Sequence, residues 1–190
     1  DQGCGRERDV LFRQVAAFDC VADQPFELRG ERPRVDGARE LEVGLDRLGD
    51  QREGEPRFRQ LGMNLTLLEP GAPMTMYHWE ADQEGFLMLS GEALLVVEGE
   101  ERTIRQWDFV HCPPGTNHAI IGAGTAPCLV LAVGARDNRS KGQQWGAYTV
   151  DEAASRHGAG VERETTEASE AYARFPKGEL TRYRDGWLPD

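Results

Sequence analysis

Met74-Thr75-Met76-Tyr77-His78-Trp79-Glu80-Ala81-Asp82-Gln83-Glu84 runs on through Gly85-Phe86-Leu87-Met88-Leu89-Ser90-Gly91 to Glu92-Ala93-Leu94-Leu95-Val96-Val97-Glu98-Gly99-Glu100, and this stretch decides the fold. Short apolar, β-prone runs are cut by glycine-bearing turns at roughly 8–12-residue intervals, which is the texture of an all-β sandwich or barrel. The same texture extends outward over residues 61–136. Its runs are Leu61 to Glu69, Met74 to Glu80, Phe86 to Glu98, Glu101 to Arg105, Asp108 to Cys112, His118 to Ile121 and Pro127 to Gly134. Leu61, Met63, Leu65 and Leu67 alternate as a strand with one buried face does. Ser90-Gly91-Glu92 interrupts the longest run, and Glu98-Gly99-Glu100 predicts a hairpin turn.

Within that frame a few residues carry chemistry. Side chains two apart on a strand project to one side, so His78 and Glu80 share a face and Tyr77 and Trp79 take the other. Glu84 lies at an even offset and returns to the His78 side if the chain bends after Glu80. Pro113-Pro114-Gly115-Thr116-Asn117-His118 ends one strand and delivers His118 to the start of the next. Strands lie about 4.8 Å apart, so that imidazole can reach a site built on its neighbour if the sheet curls. The candidate metal ligands are therefore His78, Glu80, Glu84 and His118. Imidazole with carboxylate suits Mn, Fe, Zn, Ni or Co, and two carboxylates favour the harder ions.

These residues resemble the two signature motifs of the cupin superfamily, G-x5-H-x-H-x(3,4)-E-x6-G and G-x5-P-x-G-x2-H-x3-N. His78, Glu84 and Gly91 fall on the first, with Glu80 where its second His stands and Gly71 one residue further from His78 than the pattern asks. Pro113, Gly115 and His118 fall on the second, with Trp107 in place of its opening Gly and Gly122 in place of its Asn. The resemblance covers about residues 61–136. It implies a jelly-roll-like double-stranded β-helix barrel, a divalent transition metal (Mn, Fe, Zn or Ni), and dioxygenase, decarboxylase or isomerase chemistry on a small organic acid or sugar derivative. Its alternative is a non-catalytic small-molecule sensing or storage module; and Glu80, where it is not itself a ligand, or His111 could serve as a general base.

Other residues receive plainer readings. Met76, Phe86 and Met88 share parity with His78 and are expected to furnish an apolar pocket wall, which parity alone does not separate from core. Tyr77 and Trp79 are expected to pack beneath the C-terminal tail. His111 is assigned a structural role, and Cys112 that of a buried thiol near the turn. The four cysteines, Cys4, Cys20, Cys112 and Cys128, form no CxxC pair and are read as reduced.

The flanks differ in character. Residues 1–60 form an irregular N-terminal extension, with short strands expected near Gln24 to Leu28 and Arg57 to Leu61. Residues 137–190 form a partly helical tail, with helices expected over Asp151 to His157, capped by Asp151, and over Glu164 to Phe175. Trp145, Tyr148, Tyr172, Phe175, Tyr183 and Trp187 are too many aromatics to leave wet, so the tail is expected to pack on the barrel or on a second subunit.

Charge narrows the partners. Thirty-three acidic against 22 basic residues give −11 over 190 residues, which disfavours nucleic acid and anionic lipid surfaces. Residues 61–136 alone carry −6 of it. The longest apolar run, Cys128 to Val133, is far short of a membrane span. The sequence reading is thus a cytoplasmic, homodimeric barrel taking a small-molecule ligand, with no nucleic-acid or membrane partner.

Overall fold

Glu98 and Gly99 both take positive φ, 48° and 80°, the pair of left-handed residues that a two-residue type I′ hairpin turn requires. They join β7 (Glu92–Val97) to β8 (Glu100–Arg105), where the sequence predicts a turn. The computed structural model describes residues 11–14, 27–30, 38–44, 60–175 and 181–182.

Two antiparallel sheets face each other. The larger contains β1 (Leu11–Gln14), β2 (Glu27–Gly30), β3 (Ala38–Gly44), β4 (Leu61–Leu68), β6 (Glu84–Ser90), β9 (Asp108–Cys112), β11 (Cys128–Ala135) and β13 (Thr181–Arg182). Their spatial order is β1-β9-β6-β11-β4-β3-β2-β13. The smaller sheet runs β12-β5-β10-β7-β8, adding β5 (His78–Glu80), β10 (His118–Gly122) and β12 (Gly146–Tyr148). The fold is an all-β, jelly-roll-like barrel with a short helical tail.

The core lies between the sheets. Phe86 and Met88 of β6, Ala93, Leu95 and Val97 of β7, Ile120 of β10 and Val130 of β11 form one buried cluster. Strand β7 is buried on both faces, which explains its unbroken apolar run. Its Val96, with Ala119, Ile121 and Tyr77, is covered from outside by Ala153 and Ala154 of helix α2 (Glu152–Arg156). That helix is capped as expected, the Asp151 carboxylate accepting from Ala154 N at 2.8 Å. Arg156 and His157 tie it to Glu101 of β8 at 2.8 and 3.1 Å.

Three expectations are corrected. Only His78–Glu80 of the Met74 to Glu80 run is a strand. At Met76 the backbone groups are taken by side chains instead of a ladder: its N–H donates to the Tyr172 hydroxyl and its carbonyl accepts from His78. The helix expected over Glu164 to Phe175 shrinks to α3 (Ala168–Ala171). Thr165 is held in a two-way backbone bridge with Tyr148, at 2.8 and 3.1 Å, so tertiary pairing overrides helix propensity there. Met76, Phe86 and Met88 are core residues rather than pocket wall. Helix α1 (Asp137–Ser140) precedes β12.

Of the expected N-terminal strands, one is seen at Glu27–Gly30; residues 24–26 and 57–59 lie outside the described residues, as do Cys4, Cys20, Tyr183 and Trp187. Cys112 and Cys128 are buried free thiols, and burial pushes Cys128 up to about 11.

Gly91 links β6 to β7 at φ 76°, and a Cβ there would lie 2.7 Å from Cys128 Cβ. Left-handed strain and the clash act together, so Gly91→Ala should cost about 2–4 kcal/mol. Urea denaturation with an unchanged m-value checks this, and a loss under about 1 kcal/mol contradicts it.

Candidate metal centre

Strand register places the two histidines opposite each other. Antiparallel pairing of β10 with β5 makes His118 the direct partner of His78, and their ring centroids stand 4.8 Å apart. The Pro113-Pro114-Gly115 turn that delivers His118 is pinned by Gly115 N donating to the Glu80 carbonyl at 2.7 Å. After Glu80 the chain bends through residues 81–83 and crosses to the large sheet, where Glu84 opens β6. Asn138 holds this bend: its backbone N–H and side-chain amide donate to Asp82, and the amide also reaches the Ala81 carbonyl.

The three side chains converge. Glu84 Oε2 lies 3.3 Å from His118 Nε2 and 3.8 Å from His78 Nε2, and the ligand atoms of all three fall within 4.8 Å of one another. Two ligands held about 2.0–2.2 Å from a common ion stand roughly 3–4 Å apart, so the spacing fits one. Glu80 Oε1 stands 3.8 Å from His78 Nε2, beside the pair rather than among the three converging atoms.

Hydrogen bonds fix the direction of each imidazole. His78 Nδ1–H donates to the Met76 carbonyl at 2.8 Å, and His118 Nδ1–H to the Thr116 carbonyl at 3.1 Å. A carbonyl only accepts, so each Nδ1 carries a proton and each Nε2 is turned toward Glu84, offering a lone pair there whenever the ring is neutral. The His118 side chain is 2% exposed and that of Glu84 14%. Glu84 Oε2 and His118 Nε2 are buried without a hydrogen-bond partner.

Electrostatics point the same way. Burial disfavours charged His118, yet Cys112 and Glu84 beside it outweigh that and hold its pKa well above the ordinary histidine value. Burial likewise opposes ionised Glu84, and the closeness of His118 and His78 overcomes it, leaving that carboxyl below its usual value. The centre favours positive charge between acceptors, whether supplied by a proton or by a metal ion.

The centre opens on a cavity of about 210 Å³. His78, Glu80 and Glu84 line it together with Trp145, Tyr148 and Tyr172 from the tail. Pairing of β12 with β5 sets Tyr148 opposite His78, its ring 5.8 Å away. Tyr172 meets Tyr148 edge-on at 5.6 Å. The sequence marks these aromatics as packing groups but not as cavity wall, because only the β12–β5 pairing brings them there. Arg136, at the end of the last barrel strand, also lines the cavity, and no motif singles it out. Phe86 lies 5.2 Å from the His118 ring and packs behind the centre. His111 instead hydrogen-bonds Gln83 at 3.2 Å, in keeping with a structural role. Cys112 belongs to the core and Tyr77 packs under α2.

No curated protein matches the chain. Among solved structures, a sugar phosphate isomerase of the cupin superfamily from Silicibacter pomeroyi has a TM-score of 0.49 and 21% identity, over 85% of this chain and 90% of that one. A protein put forward as a sugar phosphate isomerase from Acidithiobacillus ferrooxidans has a TM-score of 0.41 and 30% identity, over 47% of this chain and 62% of that one. The match thus spans less than two thirds of the Acidithiobacillus protein. A polyketide cyclase from Streptomyces resistomycificus has a TM-score of 0.44 and 16% identity, over 57% and 73%. The sequence profile of the cupin domain matches residues 64–134. Those residues, with two antiparallel sheets enclosing His78, Glu84 and His118, are a cupin domain.

Proposed function

We propose that this cupin domain binds a divalent transition-metal ion, Mn, Fe, Zn or Ni, through His78, Glu84 and His118, and that the protein is an enzyme acting on a small organic acid or sugar derivative. The observation that carries the reading is the pair of buried, unpartnered atoms, Glu84 Oε2 and His118 Nε2, facing each other at 3.3 Å with a second imidazole nitrogen beside them. Acceptors so placed are costly in an apolar interior unless a cation joins them. Both imidazoles are oriented by carbonyls, the outer support that metal-ligating histidines use.

A divalent ion bound there supplies Lewis acidity toward a ligand oxygen. The residues divide the remaining work. Phe86 and the core behind His118 exclude water from one side. Trp145, Tyr148 and Tyr172 form an aromatic wall that holds a ligand's apolar surface. Glu80, whose side chain is 30% exposed and lines the cavity, either completes the ligand set or accepts a proton from the ligand.

Metal analysis of protein purified without chelator tests the reading. The full chain should carry about one divalent ion per chain, and His78→Ala or Glu84→Gln should each lose 10-fold or more in affinity. Wild type without a stoichiometric ion, together with variants that bind metal equally, contradicts it.

The proton at the centre gives a second test. His118 holds it above the ordinary value of about 6.5, so protonation competes with metal more as pH falls. Apparent metal affinity should therefore drop by about tenfold per pH unit below the raised value, with one proton released on binding. Calorimetry in buffers of different ionisation enthalpy reads both, and an affinity independent of pH between 6 and 9 contradicts the assignment of His118.

A further inference from the structure

The large sheet carries a row of residues that leads away from Glu84. Pairing of β6 with β11 sets Glu84 opposite Gly134, and pairing of β11 with β4 sets Gly134 opposite Gly62. Neither glycine puts a side chain into the cavity that both line. A Cβ on Gly134 would lie 3.8 Å from Glu84 Cγ and Oε1, so this row shares the face of the Glu84 side chain. The result is a smooth trough about two strand spacings long, roughly 10 Å.

Arg136 closes its far end. A Cβ on Gly62 would fall 2.7 Å from Arg136 Nε and 2.8 Å from its Cζ, so the guanidinium lies over Gly62 where any larger residue would stand. The backbone beneath is anchored: Arg136 N donates to the Gln60 carbonyl at 2.9 Å, and Ala135 N to the Gln83 carbonyl at 3.0 Å.

Arg136 is half-buried, and its guanidinium has no ion-pair partner among the described residues. Each acid of the cavity is turned elsewhere. Glu84 faces the two imidazoles, Glu80 faces His78, and Asp82 accepts from Asn138. A partly desolvated cation held without an anion is unfavourable, and a ligand anion would relieve it.

Resting on the metal-site reading above, we propose that Arg136 receives a carboxylate at the far end of the ligand, which makes the substrate class a short organic acid. One end meets the metal-binding groups and the other the guanidinium. Arg is the only cationic side chain lining the cavity among the described residues. Its planar fork matches one carboxylate in charge and geometry, whereas a phosphate dianion out of water needs further donors.

The test is calorimetric titration of the metal-loaded full chain with dicarboxylates of three to six carbons, their monomethyl esters, and inorganic phosphate. At least one dicarboxylate should bind, and Arg136→Gln should weaken it about 10- to 100-fold, while the monomethyl ester binds wild type and variant alike. Gly62→Ala, which displaces the guanidinium without removing its charge, should lower dicarboxylate affinity in the same direction. Metal content and melting temperature of both variants should match wild type.

Failure of every dicarboxylate to bind wild type, or equal binding to Arg136→Gln, overturns the proposal, as does phosphate binding more tightly with the same Arg136 dependence. Repeating the titration on chelator-treated protein separates the two readings. A chain that takes up no metal contradicts the metal site, while Arg136-dependent dicarboxylate binding there still supports the trough assignment and its absence overturns it.

Discussion

Three acceptors brought together where water is scarce are the constraint on which the rest of this structure turns. A carboxylate oxygen and two imidazole lone pairs repel one another unless positive charge lies between them. The fold holds them there regardless. The β5–β10 register fixes the histidines face to face, carbonyls of Met76 and Thr116 fix their tilt, and the bend after Glu80 brings the carboxylate in from the opposite sheet.

Much of this is legible in the sequence because it is local or short-range. Alternation at Leu61 to Leu67 marks the strand but not its inner face, since Leu61 is exposed and Thr66 and Leu68, of the other parity, face the cavity and core; the glycine cuts at Gly91 and Gly99 and the Pro-Pro-Gly turn before His118 likewise act within a few residues. The strands they delimit agree with the structure to within a residue or two. The spacing of His78, Glu84 and His118 is legible for the same reason.

What the sequence hides is nonlocal. Thr165 looks helical among its neighbours but pairs with Tyr148, and Met76 looks like a strand residue until Tyr172 and His78 claim its backbone. Tyr148 and Arg136 carry no local signal that they share a cavity. The first arrives through β12 pairing with β5, and the second through a glycine two strands away from Glu84. Glu80 shows the intermediate case: parity places it correctly beside His78, but the fine distances that set it apart from the converging three depend on the bend.

The strands flanking the barrel segment have a role that the cupin match by itself does not convey. Strand β1 pairs along β9, and β3 along β4, so both outer strands of the domain's large sheet are hydrogen-bonded to chain from the N-terminal region. A polypeptide cut to residues 64–134 would present two raw strand edges, each a template for another molecule. The N-terminal strands thus occupy the hydrogen-bonding positions at which the strand of another molecule would otherwise add edge to edge.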